Sequence, residues 1–182
     1  MPPIMQPIPL PSIVNLRTAV QQQMRYEGYY PSTLWTRLAS ATEGVVSELR
    51  ATICFTQDTQ QRLVVHGEAH VEVALLCQRC NDCFLETLSV NYCVSPVLDD
   101  RQAKALPSVY DPWLIDQYEQ VDLISLIEEE LLLRLPLAAV HPDEGCSAAI
   151  LAYWNSPLLP VVEPVKQDSP FGVLLSLKET KL

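Results

Sequence analysis

The chain has 182 residues, a length that favours one domain with extensions and is sufficient to bury a core. Apolar residues make up 48% of the chain, which excludes a protein that is disordered throughout. Twelve lysines and arginines against 22 aspartates and glutamates give a net charge of −10, so nucleic-acid binding through the overall charge is excluded. Any RNA contact would need a local basic patch, and a basic protein partner suits the charge better.

Signals for membrane insertion or secretion are missing from the sequence. No run of about 18 apolar residues occurs, and the proline-rich start MPPIMQPIPLP has neither the basic nor the apolar region of a secretory signal. We therefore expect a cytoplasmic protein, in which thiols stay reduced. Its six cysteines are then expected to be buried thiols, metal ligands or redox groups rather than disulfides.

The region before Gly44 predicts two short helices. Asn15 is a suitable N-cap for a helix that runs to Met24, and Gly28 is expected to stop that helix. A second short helix is predicted to begin at Ser32.

After Gly44 the sequence alternates between apolar and polar residues, which is the pattern of half-buried strands. Three strands are predicted, at residues 49–55, 62–76 and 88–94. The short turns between them favour an antiparallel meander. We expect residues 95–120 to form a polar, turn-rich connection.

Residues 122–135, DLISLIEEELLLRL, carry the strongest helical pattern in the chain. Asp122 is the predicted N-cap, and Pro136 ends the helix. Its apolar side is expected to pack across the sheet, whereas the glutamates at 128–130 are expected to form a solvated face. These elements predict a single α+β domain over residues 1–154, an antiparallel sheet packed by a few helices, with extended N- and C-terminal segments.

The end of the chain differs in character from the domain. Residues 155–168 hold three prolines and predict an extended linker. Residues 169–182 predict a short helix that is apolar nearly all around, and a helix of about two turns is not stable alone. It must therefore dock, either on its own domain or on a partner. We take it as a partner-docking segment, whose predicted contact residues are Phe171, Leu174, Leu175 and Lys178.

A C-x-x-C motif at the tip of the predicted hairpin is the sharpest chemical feature. This spacing lets two thiolates approach one tetrahedral ion from a tight turn. Asn81 follows the motif, where a turn often needs a left-handed residue. A histidine and a further cysteine lie in the loop after the main helix. The predicted ligands of a structural zinc ion are therefore Cys77, Cys80, His141 and Cys146, with Cys83 as a substitute for one of them.

Other interpretations of the thiols stay open. The motif is also compatible with small buried residues at a turn, and with a redox dithiol. The redox alternative is weaker, because such motifs place the first cysteine at a helix N-terminus and strands flank this one. Cys54 and Cys93 lie on the polar side of predicted strands and are interpreted as packed thiols. His66 and His70 are about 13 Å apart along a strand, so they are not a chelating pair.

Motifs of common enzyme classes are missing. No Ser-His-Asp order, nucleophile elbow or Walker loop occurs, and only five glycines are present, too few for a phosphate-cradling loop. We therefore expect a protein that is not an enzyme and that takes no small-molecule substrate.

Four segments together resemble the YceD family, the large ribosomal RNA subunit accumulation proteins of bacteria and plastids. In chain order they are LRTAVQQQMRYEGYY, LLCQRCNDCFLETLSVNYCVSPV, VDLISLIEEELLLRLPLAAVH and SPFGVLLSLK. The resemblance covers nearly the whole chain, and it rests on the combination of these segments rather than on any one of them.

This resemblance implies a non-enzymatic biogenesis factor of the large ribosomal subunit, with a role in the synthesis, processing or stability of 23S rRNA. We expect an adaptor on assembly intermediates. Its partners would be the pre-ribosomal large-subunit particle and, within it, a basic ribosomal protein, rRNA, or both of these. Two alternatives are a metal-dependent RNA-processing enzyme and a direct RNA-binding module. The thiolate-rich motif suits a closed structural site better than a hydrolytic one.

Overall fold

A six-stranded sheet forms the body of the protein in the computed structural model, which describes residues 8–142, 144–148 and 151–152. Its strands are β2 (Arg25–Tyr30), β3 (Gly44–Val45), β4 (Leu49–Gln57), β5 (Leu63–Leu76), β6 (Cys83–Val97) and β7 (Asp111–Leu114). A separate two-stranded sheet pairs β1 (Ile13–Val14) with β8 (Val121–Asp122). The helices are α1 (Leu16–Gln21), α2 (Thr36–Ala41), α3 (Asp100–Lys104) and α4 (Leu123–Arg134), and two 3-10 turns span Ser32–Leu34 and Glu144–Ser147.

The predicted antiparallel meander is confirmed in strands β4, β5 and β6, and with it the α+β class. Strand β2 pairs with β4, and β3 with β5, also antiparallel. Only one strand pair in the described sheet departs from this pattern, because β7 runs parallel to β6.

One face of the sheet is buried and the other is open, as the alternation predicted. The buried face carries Ile53, Phe55, Val65 and Val71, each at most 2% exposed. Helices α1 and α4 pack on this side. Within the open face, cross-strand rows join polar side chains, such as Arg50, His70 and Ser89, or Cys54, His66 and Cys93.

Helix α4 confirms the predicted cap and end. The side chain of Asp122 accepts a hydrogen bond from the Ile124 N–H at 2.9 Å, and the helix ends before Pro136. The prediction that the glutamates at 128–130 form a solvated face was wrong for Glu128, which is only 6% exposed. Its carboxylate lies against the start of α2, a contact between segments far apart in the sequence.

Two predictions for the connecting regions were also wrong. The first helix ends at Gln21, because Gln23 takes a left-handed φ of 49°, and residues 25–30 then form strand β2. Gly28 therefore lies inside a strand, where a Cβ would approach the backbone oxygen of Ile8 to 2.0 Å. Residues 95–120 are not simply a turn-rich connection, since they complete β6 and form α3 and β7.

The predicted linker at 155–168 and the contact residues Phe171, Leu174, Leu175 and Lys178 lie outside the described residues. Among the helices that are described, none is long and apolar enough to cross a membrane.

Candidate metal centre

The β5–β6 turn holds Cys77 and Cys80 in a compact knuckle. The Cys77 N–H donates to the Asp82 carbonyl oxygen at 2.9 Å, and the Asn81 N–H donates to the Cys77 carbonyl oxygen at 2.8 Å. Asn81 has a φ of 64°, which confirms the left-handed residue predicted at this position. Two long paired strands support the turn, so its thiols are held in a fixed orientation.

The segment after α4 folds onto this knuckle. The Gln78 N–H donates to the Ala139 carbonyl oxygen at 2.8 Å, and the Arg79 guanidinium donates to the carbonyl oxygen of His141. The ring of Phe84 packs against the imidazole of His141, with centroids 4.8 Å apart. These contacts place His141 beside the knuckle, and the 3-10 turn at Glu144–Ser147 carries the last predicted ligand.

All four predicted ligands meet at one point. The ligand atoms of Cys77, Cys80, His141 and Cys146 lie within 4.8 Å of one another. The Cys80 Sγ is 3.3 Å from the His141 Nδ1, and the Cys77 Sγ is 4.0 Å from the Cys146 Sγ. Tetrahedral zinc with Zn–S bonds of about 2.3 Å separates its sulfur ligands by about 3.8 Å, so these spacings fit that ion.

Cys83 lies apart from this group. It begins strand β6, its side chain is exposed, and it does not belong to the cluster. Its role as a substitute ligand stays a prediction.

Backbone N–H groups surround the buried Cys77 thiol. The Cys77 Sγ lies 3.4 Å from the backbone nitrogen of Arg79 and 3.4 Å from the backbone nitrogen of His141. Burial raises the pKa of Cys77, but the N–H donors of Cys80, His141 and Arg79 outweigh it and bring the pKa to about 5. These donors therefore favour the thiolate form of Cys77.

The neighbouring Cys80 behaves in the opposite way. A hydrogen bond from the Asp82 backbone lowers its pKa, but burial and the nearby Cys77 raise it, to about 11 on balance. Two adjacent thiolates repel each other unless a cation lies between them. A divalent ion would remove this repulsion and hold both thiols deprotonated.

Arg79 is a residue of the site that the sequence motif did not single out. Its Nε is buried without a partner among the described residues, while the rest of the guanidinium contacts the His141 carbonyl. Three thiolates and one neutral imidazole around Zn²⁺ carry a net charge of −1. The guanidinium can offset that charge, as outer groups around metal sites commonly do.

The donor set determines what such a centre can do. Sulfur and imidazole ligands select zinc over magnesium or calcium, and four protein ligands leave no open position for an activated water. The arrangement therefore fits a structural ion that fastens the segment after α4 to the hairpin. It does not fit a hydrolytic centre.

The remaining cysteines and histidines of the sheet lie elsewhere. Cys54 and Cys93 are half-buried on the open face, on either side of His66 in the same cross-strand row. His70 Nδ1 lies 2.9 Å from the Ser89 Oγ and is exposed. Among the described residues, only the Cys77 cluster brings three or more such ligands together.

Comparison with known proteins relates the chain to one described family. A family model described as "Large ribosomal RNA subunit accumulation protein YceD" matches residues 65–178, a range that contains all four residues of the cluster. A curated protein of Haemophilus influenzae with the same description is 35% identical over 175 residues, which cover 96% of this chain and 99% of that protein. No solved structure matches the chain significantly.

Proposed function

This chain is a member of the YceD family, as its sequence motifs predicted, and on that premise we propose that it promotes accumulation of the large-subunit ribosomal RNA. The observation that carries the proposal is the 35% identity, over 96% of the chain, to a relative described in those words. In this proposal the protein is a non-enzymatic factor that works in the cytoplasm by holding other molecules.

The mechanism we propose is that of an adaptor on assembly intermediates. A net charge of −10 disfavours non-specific RNA binding and favours a basic ribosomal protein as the partner. The C-terminal segment, residues 169–182, supplies an apolar anchor followed by Lys178. Its contact residues in this proposal are Phe171, Leu174, Leu175 and Lys178.

Association with ribosomal particles tests the adaptor mechanism. The full chain should co-purify with large-subunit precursors, and the double variant Leu174→Asp/Leu175→Asp should lose most of that association. Leu133→Asp is the matched control, because Leu133 is 84% exposed on α4 and a new charge there disturbs little. Equal recovery of particles with all three proteins would contradict the adaptor mechanism.

Zinc is the second part of the proposal. The ion would be held by Cys77, Cys80, His141 and Cys146, and it would serve the fold rather than a reaction. Elemental analysis of the untagged full chain should find about one zinc per protein, since structural zinc survives purification. Cys146→Ser should lose that zinc and Cys83→Ser should keep it. Less than about a tenth of an equivalent in the unmodified chain would contradict the zinc site.

A direct RNA-binding role is the alternative with some support, since Arg25 and Arg50 lie exposed on neighbouring strands of the open face. Acidic side chains lie among them, including Glu27 and Glu68, so the face is not a basic patch. Titration of RNA binding against salt separates the two mechanisms, because phosphate contacts give a steep loss of affinity with salt.

A further inference from the structure

An apolar patch lies exposed on the open face of the sheet, at the hairpin end beside the metal knuckle. Register pairs Ala74 with Leu85 and Leu76 with Cys83, so the four side chains share one face. Leu76 is 39% exposed and Leu85 is 57% exposed. We call these four residues the tip patch. The described residues leave the patch uncovered.

A groove continues from the tip patch along the same face. Glu72 precedes Ala74 by two residues, so it points to the same side of β5. With Glu48 it lines a groove of about 390 Å³, in which Arg50 and His70 lie beside the two carboxylates. The face therefore offers an apolar area followed by a groove of mixed charge that contains two carboxylates.

We propose that the tip patch and the adjoining groove form the docking site of the chain's own C-terminal segment, residues 169–182. That segment is mostly apolar from Phe171 to Leu177, and Lys178, Glu179 and Lys181 follow. Apolar groups cover the patch while the ammonium groups reach the carboxylates of the groove.

The path of the chain brings the segment to this site. Cys146 Sγ lies 4.0 Å from the Cys77 Sγ, and Cys77 directly follows Leu76 of the tip patch. Cys146 therefore brings the chain close to the patch, and the proline-rich connection that leads on to residue 169 can reach about 3.1 Å per extended residue. A tether that can span this distance raises the effective concentration of the segment at the patch, which favours docking within one chain.

Docking in this way competes with any partner that uses the same segment, yet the inference does not depend on the ribosomal role. The purified full chain is enough to test it, and the association with ribosomal particles can succeed or fail independently. A native reporter is available, because Cys83 belongs to the tip patch and its side chain is exposed unless the segment covers it.

The first experiment measures alkylation of Cys83 by N-ethylmaleimide in the full chain, resolved by peptide mass spectrometry. Leu174→Asp/Leu175→Asp should speed modification of Cys83 by about fivefold or more, if the tethered segment is mostly docked. Leu133→Asp on α4 should leave the rate unchanged, and Cys54 and Cys93 serve as internal references in each sample. Equal Cys83 rates in the double variant and the unmodified chain would overturn the inference.

The second experiment changes the patch and probes the segment. Leu85→Asp should speed tryptic cleavage after Lys178, whereas Leu133→Asp should not, with the circular dichroism of both variants matching that of the unmodified chain. Unchanged cleavage in Leu85→Asp would overturn the inference. So would protection of Cys83 that disappears on dilution, because that result would assign the covering segment to a second copy of the chain.

Discussion

Replacing Glu128 with alanine should destabilise the fold far more than replacing its neighbour Glu129. The Glu128 Oε1 accepts hydrogen bonds from the backbone N–H groups of Arg37 and Leu38, at 2.9 and 3.1 Å. These are orphan donors at the start of α2, and the carboxylate that satisfies them is only 6% exposed. One side chain thus joins α4 to α2 and complements the helix dipole.

The magnitude follows from the two donors that the substitution leaves without a partner. Each buried unsatisfied group costs about 1–3 kcal/mol, so Glu128→Ala, which leaves two of them, should lower the free energy of unfolding by about 2–6 kcal/mol. Glu129 instead makes an ion pair with Arg37 at 3.3 Å, with side chains 60% and 57% exposed. Such exposed pairs contribute about 0–1 kcal/mol, so Glu129→Ala is the matched control.

Urea denaturation followed by tryptophan fluorescence measures both variants. Trp35 is fully buried directly before α2 and reports on this contact. Glu128→Gln keeps the acceptor oxygen and should fall between Glu128→Ala and the unmodified chain. If Glu128→Ala unfolds at the same urea concentration as Glu129→Ala, the proposed link between the two helices is refuted.

Three further changes probe other parts of the molecule. Burial, with the nearby Asp111 and Glu129 charges, raises the pKa of Glu130, so its ionisation costs stability once the pH rises through that raised value. Glu130→Gln should therefore stabilise the protein at neutral pH and change nothing in acid below the unfolded-state pKa, as thermal unfolding across pH would show. Gly67→Ala would place a Cβ 1.9 Å from the Thr52 backbone oxygen. It should therefore lower the free energy of unfolding, measured by urea denaturation, by at least about 1–3 kcal/mol. An unchanged urea midpoint would refute the close approach. At the knuckle, Asn81→Val should weaken zinc retention against a chelator, because a β-branched residue resists a φ of 64°. Asn81→Gly should preserve zinc retention. Equal retention in the two variants would contradict the role of that turn.

Local patterns in the sequence were enough to predict the central strands and helix α4. The alternation in β4 and β5 matches a sheet with one buried face. Helix α4 begins after its N-cap Asp122 and ends before Pro136, which cannot continue a helix. Strand β7 was missed because it is short, contains Pro112, and pairs parallel to β6 at the sheet edge.

Long-range contacts explain the remaining differences. The burial of Glu128 could not be foreseen from three consecutive glutamates, since its reason is the start of α2 some 90 residues earlier. The C-x-x-C spacing was enough to single out two residues of the candidate metal cluster, but the meeting of His141 with Cys80 depends on how the segment after α4 folds back. Arg79 joined the site only through that same tertiary contact.

The ratio of large- to small-subunit ribosomal RNA in cells tests the central claim most directly. Cells that lack this protein should show a lower ratio of mature large-subunit RNA, and the full chain supplied in trans should restore it. A ratio that stays at the level of unmodified cells after loss of the protein would contradict the account.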